Sequence, residues 1–158
     1  MNRTKQIADR FREVILNGLW IANTNFYDQV SDVTWKQATR KIGPLNTIAA
    51  LTFHINYYTA GILNVFEGGS LDIRDKYSFD LPPLEIQKDW ETLKEAFWSN
   101  AEKLAHMVEL MPDEKLDEVF VDEKYGTYLR NIEAMIEHSY YHLGQVSLIK
   151  KMLLEDEQ

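Results

Sequence analysis

Two histidines four residues apart, His138 and His142, have the spacing in this sequence that best suits a metal ion. On an α-helix their side chains point only about 40° apart, one turn above the other, with Cβ atoms about 5–6 Å apart. The apolar Ile149 lies about 20° from His138 on the same helical wheel, which indicates that the pair faces the protein interior. Imidazoles in that position need polar partners. A shared metal ion would be one such partner, whereas backbone carbonyls or water would satisfy two ordinary buried histidines.

A third histidine favours the metal. His54 lies in a predicted helix over residues 47–67, whose apolar residues recur with helical spacing. It falls at the border of this apolar stripe, about 20° from Val65 and about 60° from Leu51 on the helical wheel. Three of the four histidines are therefore expected at the edge of the core, on two long helices. The fourth, His106, lies among charged residues and is predicted to be a solvated surface residue.

The composition is that of one globular domain, which we assign to residues 1–158. Hydrophobic residues make up 45% of the chain and charged residues 27%, which is enough to build a core at this length. Because the chain has no cysteine, any metal must bind His, Asp or Glu, and disulfides and cysteine nucleophiles are excluded. We find no targeting segment and no membrane-spanning apolar run. We therefore expect a cytoplasmic protein with no membrane partner.

The charge argues against a nucleic-acid partner. The formal net charge is −8, and basic residues form no cluster larger than a pair. A phosphate backbone would meet net repulsion, so we expect no nucleic-acid binding. The ferritin-like pattern Glu-x-x-His is also absent, because Met135 and Ser139 stand three residues before the paired histidines. This argues against a di-iron carboxylate centre and leaves a mononuclear site as the metal hypothesis.

Apolar periodicity predicts an all-α protein with four long helices. Asn17 with Gly18 and Gly68 with Gly69 favour helix ends, and Thr127 favours a helix cap. Two consecutive prolines at 82–83 are compatible with a first helical turn. The predicted helices cover residues 3–16, 47–67, 82–110 and 127–154.

The apolar faces of these helices are expected to bury one another in a single up-and-down four-helix bundle with long structured connections. Within the first connection, we expect Thr24 to cap a short helix that runs toward Asp32. Residues 118–122 have a strand-like composition, but we interpret them as a structured connector and not as part of a sheet. A site made from side chains on facing helices is the usual way in which such a bundle binds a ligand.

Two motifs in the chain resemble a known family. The first, LNTIAALTFH, spans residues 45–54 and ends in His54, and the second, EHSYYHLGQ, spans residues 137–145. They resemble the second-helix and fourth-helix motifs of the DinB/YfiT-like superfamily of bacterial four-helix-bundle metalloproteins, in which H-x-x-x-H is followed by Gly-Gln. Residues 19–26 and 80–83 are similar to further family segments, so the resemblance extends over nearly the whole chain.

The resemblance implies one divalent metal ion, nickel or zinc, with His54, His138 and His142 as ligands and solvent completing the shell. It also implies a homodimer. Some members of the superfamily are transferases or isomerases that depend on low-molecular-weight thiols, which makes an external thiol a candidate cosubstrate. Most members have no established reaction, so the resemblance bears on the metal more directly than on the chemistry.

Three neutral imidazoles would leave a metal at least one open position, as in catalytic sites. We hypothesise that the site generates a thiolate or hydroxide near neutral pH, and that this nucleophile attacks a small electrophilic substrate. Gln145 and Tyr58 are candidates for orienting ligands in the pocket. Gln145 could equally bond to a neighbouring helix, and for Tyr58 packing in the core is the favoured alternative.

No side chain stands out as a general acid or base, so the sequence assigns no catalytic residue. Two functions of different class therefore stay open. One is a mononuclear metalloenzyme, a thiol S-transferase or a hydrolase. The alternative is a non-catalytic metal-binding or interaction protein of the bundle type, in which the metal serves stability, sensing or dimer assembly.

Overall fold

The protein is predominantly α-helical. A computed structural model describes residues 2–155, and these contain no β-strand beyond one isolated bridge between Val119 and Thr127. The predicted all-α fold with four long helices is confirmed, and residues 118–122 form a connector. The helices are α1 (Arg3–Arg12), α2 (Phe26–Val30), α3 (Trp35–Thr39), α4 (Ile48–Phe66), α5 (Gln87–Leu110) and α6 (Tyr128–Glu155). A π-helical turn, Glu13–Asn17, continues α1, and 3-10 turns lie at Asp75–Tyr77, Asp113–Asp117 and Glu123–Tyr125.

The four long helices pack as a bundle in which helices α1 and α4 each contact both α5 and α6. Contacts between early residues of one helix and late residues of another show that α1 and α5 are antiparallel, as are α4 and α6. Helices α1 and α6 run in the same direction. In chain order the directions are therefore up, down, down, up. The predicted up-and-down order of the helices is wrong, because the connection between α4 and α5 returns along α4 and lets α5 run parallel to it. The contacts that establish this are Lys5 with Glu109, Arg12 with Glu102, Arg10 with Glu133, Glu13 with Tyr140, Phe66 with Tyr128 and His54 with His138.

The third long helix begins at Gln87 and not at Pro82, so this predicted boundary is wrong. The Asp89 carboxylate accepts hydrogen bonds from the backbone N–H groups of Glu85 at 2.8 Å and Ile86 at 3.1 Å. These groups precede the first helical turn, where no intrahelical acceptor exists for them. The two prolines lie upstream in non-helical chain, because a residue that precedes proline disfavours the helical conformation.

Asn25, and not Thr24, caps the short helix α2. The Asn25 side chain accepts a hydrogen bond from the Asp28 backbone N–H at 2.9 Å and donates one to the Gly18 carbonyl at 3.0 Å. The Thr24 hydroxyl instead accepts a hydrogen bond from Gln29 at 2.7 Å. Asn25 thus ties the start of α2 to Gly18, just past the end of the first helical segment.

Fully buried aromatic side chains hold the short helices on the bundle. Trp90 of α5 is 0% exposed, and its indole N–H donates a hydrogen bond to the Val33 carbonyl at 2.7 Å. Phe26 of α2 meets Phe97 of α5 edge to face, with ring centroids 5.6 Å apart. Burial of such large rings is a major stabilising contribution to a core. The segment between α1 and α4 is therefore anchored to α5.

The connection between α4 and α5, residues 67–86, runs back along α4. Between Ser70 and Ser78 the contacts of the connector on α4 move from Asn64 back to His54, which allows α5 to start beside the beginning of α4. The connector therefore passes over His54. Its contacts join Asn64 to Ser70, Tyr57 to Arg74, Tyr58 to Asp75 and His54 to Ser78. No helix among residues 2–155 has the length and apolar character needed to cross a bilayer.

Candidate metal centre

The three histidines singled out in the sequence converge between α4 and α6. The Nε2 atom of His54 lies 3.1 Å from that of His138, which lies 2.9 Å from that of His142. One candidate ligand atom from each ring lies within 4.8 Å of the other two, close enough for a single metal ion. His138 and His142 are one turn apart on α6, and the antiparallel packing of α4 brings His54 to the same level. His54 and His142 are buried and His138 is half-buried.

Hydrogen bonds to oxygen orient two of the rings. His54 Nδ1 lies 3.2 Å from the Ser78 carbonyl, and His142 Nδ1 lies 2.6 Å from Oε1 of Gln145. A carbonyl oxygen only accepts hydrogen bonds, so each Nδ1 carries the hydrogen and each Nε2 carries a lone pair. Gln145, for which the sequence left two interpretations open, therefore bonds to His142 on its own helix and directs the Nε2 lone pair toward the other histidines.

The donor set fits a cation. Lone pairs on the Nε2 atoms of His54 and His142 both face the Nε2 atom of His138. A neutral His138 has one ring hydrogen to offer, so three facing nitrogens share at most one hydrogen between them. A divalent ion accepts electron density from all three, and neutral imidazole nitrogen is a common ligand of zinc and nickel. A metal ion would therefore satisfy the lone pairs of all three Nε2 atoms, whereas hydrogen bonds among the three rings leave at least one of them without a donor.

Burial makes the three imidazoles hard to protonate. Desolvation lowers the pKa of His54 and of His142 below the usual value, and repulsion from His142 lowers the pKa of His54 further. The pKa of His138 is lowered from 6.5 to about 4, first by desolvation and then by repulsion from the other two rings. All three rings are therefore neutral at pH 7, which is the protonation state in which histidine binds a metal.

We expect the metal-free protein to lose stability as the pH falls from 6.5 toward about 4. In this window the unfolded chain binds protons at these histidines and the folded protein does not, so added protons favour unfolding. Thermal unfolding midpoints, measured in the presence of a chelator, should fall more steeply with decreasing pH in the wild type than in His138→Asn, which lacks the group with the largest lowering. The same pH dependence in both proteins would contradict this origin.

Tyr58, the second pocket candidate from the sequence, lies against two of the histidines. Its ring centroid is 5.1 Å from that of His54 and 5.3 Å from that of His138. Its hydroxyl donates a hydrogen bond to Oδ1 of Asp75 at 2.8 Å, and burial together with this bond raises the pKa of Tyr58. Tyr58 is therefore a protonated wall residue that links the connector to α4.

Two connector residues beside His54 were missed from the sequence. Ser78 contributes its backbone carbonyl, a group that every residue has, so no sequence signal marks it. Phe79 stacks on the His54 ring, with centroids 4.0 Å apart and 12° between the planes. An aromatic residue in a mostly polar connector was the available signal for Phe79, but its partner depends on the path of the connector over α4.

A cavity of about 550 Å³ lies beside His138. Its walls come from α4, α6, residues 71–75 of the connector and residues 120–125, and it is partly open to solvent. Ligand sites in proteins typically occupy about 300–1,000 Å³ and lie beside a few convergent polar groups. The histidine group therefore has an adjoining space large enough for a small molecule. His106, as predicted, is exposed on α5 and lies outside this site.

Four long helices and three convergent imidazoles define a helical bundle of a metal-binding class. A sequence model of the DinB superfamily matches residues 22–146, which include all three histidines. The chain belongs to the DinB superfamily. Comparison with curated proteins gives no match, and comparison with solved structures gives none either.

Proposed function

We propose that this protein binds one divalent metal ion, nickel or zinc, through the Nε2 atoms of His54, His138 and His142. We further propose that it uses the metal to activate an external low-molecular-weight thiol, or water, for transfer to or hydrolysis of a small electrophilic substrate. The observation that carries the proposal is the convergence of three neutral imidazoles, two of which have the lone pair of Nε2 directed inward by oxygen acceptors on Nδ1.

A divalent metal held by three neutral ligands supplies Lewis-acid chemistry, which lowers the pKa of a coordinated thiol or water. The residues of the chain prepare the site for it. Gln145 and the Ser78 carbonyl hold two rings in the orientation that binds, and Phe79 covers one face of His54. The cavity beside His138 gives a substrate access. The thiol must come from outside because the chain has no cysteine.

A reducing compartment such as the cytoplasm suits this activity, because low-molecular-weight thiols stay reduced there. We also propose that the protein acts as a homodimer. Supporting this, several large apolar side chains are exposed, among them Trp20, which is 90% exposed, and Leu148, which is 57% exposed. A dimer interface would cover an exposed aromatic side chain such as Trp20, because aromatic residues are enriched at protein interfaces.

A non-catalytic metal-binding protein is the alternative. One observation favours it: among residues 2–155, the group able to hold a metal consists of histidines only, and the Asp75 carboxylate near it already accepts the hydrogen bond of the Tyr58 hydroxyl. In this alternative the metal would stabilise the bundle, report on metal supply or assist dimer assembly.

Two measurements test the proposal one after the other, first of the metal content and then of catalytic turnover. Protein produced with nickel and zinc present should contain about one divalent ion per chain by elemental analysis. The metal-loaded protein should then accelerate the loss of free thiol in mixtures of small thiols and alkylating electrophiles, and protein stripped with a chelator should not. Absence of bound metal would refute the whole proposal. One ion per chain without turnover in a broad screen would favour the non-catalytic alternative.

Gln145→Leu should weaken metal binding about 10- to 100-fold, because His142 loses the acceptor that keeps its Nδ1 protonated. Competition against a chromophoric chelator measures this affinity. Gln6→Leu is the matched control, since Gln6 is an exposed residue of α1. Equal affinities in the two variants would mean that the bond between Gln145 and His142 does not orient the ligand.

A further inference from the structure

The shape and the lining of the cavity beside His138 restrict the class of molecule that it can bind. It extends along α6 from His138 to Asn131, a distance of about 10 Å at 1.5 Å per residue. The opposite wall is formed by Tyr58 and Ile62 of α4, and the connector closes one side. An elongated space of this kind fits a molecule with a ring or a short chain as its body.

The body of the cavity is apolar. Ile62, Phe120 and Met135 line it and are 6%, 6% and 4% exposed, respectively, so each is firmly packed in the fold and presents only a small apolar surface to the cavity. The Phe120 ring is itself held edge to face by Tyr128, with ring centroids 5.1 Å apart. A wall packed in this way is preformed, and an apolar group gains free energy by leaving water to contact it.

One cationic group lies at this cavity without a carboxylate partner. Arg74 lines the cavity and is exposed, and within residues 2–155 its guanidinium forms no ion pair. By contrast, carboxylates bind the guanidinium groups of Arg3, Arg10, Arg12 and Arg130. An unpaired arginine is notable in a chain with a net charge of −8, where acidic residues outnumber basic ones.

The other charged group at the cavity is already engaged. The Asp75 carboxylate accepts the hydrogen bond from Tyr58 at the histidine end. Arg74 is therefore the cationic group that an anionic ligand can reach at this cavity. A guanidinium presents a planar set of donors that matches a carboxylate or sulfonate with two parallel hydrogen bonds.

We propose that this cavity binds an amphiphilic acid, with an apolar ring or chain against Ile62, Phe120 and Met135 and an anionic group on Arg74. That this acid is the substrate rests on the function proposed above, because the bound molecule would lie against His138. The binding itself involves neither the metal nor any reaction.

Fluorescence of 1-anilinonaphthalene-8-sulfonate, which joins an aromatic body to an anionic group, tests the proposal in the full-length protein. The uncharged N-phenyl-1-naphthylamine is the matched probe. We expect Arg74→Met to weaken binding of the anionic probe about tenfold, because a charge-assisted hydrogen bond is lost, and to leave the uncharged probe unchanged. We expect Ala134→Phe, which fills the cavity, to abolish binding of both probes.

Ala60→Phe is the control for cavity filling, because Ala60 lies on α4 and lines a separate cavity. It should leave both probes unaffected. The proposal is overturned if Arg74→Met binds the anionic probe as the wild type does, or if Ala60→Phe and Ala134→Phe act alike. Arg74 is exposed, so its variant is decisive even if Ala134→Phe does not fold.

Each titration is repeated on metal-loaded and chelator-treated protein, and the metal content of both samples is measured. If the protein contains metal but does not bind the anionic probe, only the amphiphilic-acid proposal is overturned. Absence of metal with the probe site intact overturns only the metal-dependent function. The two proposals therefore fail separately.

Discussion

His142→Ala is expected to reduce the affinity of the protein for a divalent metal ion about 100- to 1,000-fold. A four-ligand zinc site binds with about 10–16 kcal/mol, or roughly 2.5–4 kcal/mol for each ligand. Since about 1.4 kcal/mol corresponds to a factor of ten, the loss of one of three protein ligands has the effect stated. His142 is a strong choice because it is buried and its Nε2 atom lies 2.9 Å from that of His138.

The measurement is metal content after gel filtration, followed by competition titration against a chromophoric chelator. His106→Ala is the matched control, because His106 is an exposed histidine of α5. It should retain the metal with wild-type affinity. Metal binding should also raise the thermal midpoint of the wild type and of the control, because a ligand that binds only the folded state stabilises it. Retention of one ion per chain in His142→Ala would remove His142 from the site.

Trp90→Ala is expected to lower the free energy of unfolding by about 3–5 kcal/mol. Trp90 is 0% exposed and packs where α5 meets the segment between α1 and α4, so its removal leaves a large cavity. The Val33 carbonyl also loses the indole donor at 2.7 Å. An unpaired buried acceptor adds to the loss from packing. Small domains are stable by only about 5–15 kcal/mol, so this single change removes a large share of the total.

Urea denaturation followed by circular dichroism measures the effect. The chain offers a matched control in Trp20→Ala, because Trp20 is 90% exposed. At monomeric concentrations this control should change the free energy of unfolding by no more than about 0.5 kcal/mol. Similar losses in the two variants would contradict the central position of Trp90. If Trp90→Ala does not fold, Trp90→Phe keeps most of the volume while it removes the hydrogen bond to Val33, and a smaller loss of stability is expected.

Much of the fold could be predicted from local patterns. Apolar residues at helical spacing revealed the four long helices, and Gly68 with Gly69 marked the end of α4, which ends at Phe66. The start of α5 was not visible in the sequence, because the Asp89 carboxylate reaches back to two backbone N–H groups and the prolines upstream lie outside the helix. Two local signals competed for the start of this helix, the prolines at 82–83 and the Asp89 carboxylate, and the sequence does not show which of them prevails.

The candidate site divides in the same way. A helix brings His138 and His142 together by its geometry alone, so their pairing was predictable from a spacing of four residues. The position of His54 beside this pair was only a hypothesis from the residues alone. The three rings converge only if α4 packs antiparallel to α6 in one particular register. The distance of 3.1 Å between the Nε2 atoms of His54 and His138 is a property of that packing.

The sequence by itself determined the four long helices apart from the start of α5, the absence of any cysteine ligand and the pairing of two histidines, since each depends on residue type and on contacts within a few residues. Tertiary structure alone decided the rest. The return of the connector along α4 places the Ser78 carbonyl and Phe79 on His54, and it brings Arg74 to the cavity beside His138. These contacts join residues far apart in the chain, and their free energy depends on the packed arrangement of whole helices, which no local pattern encodes.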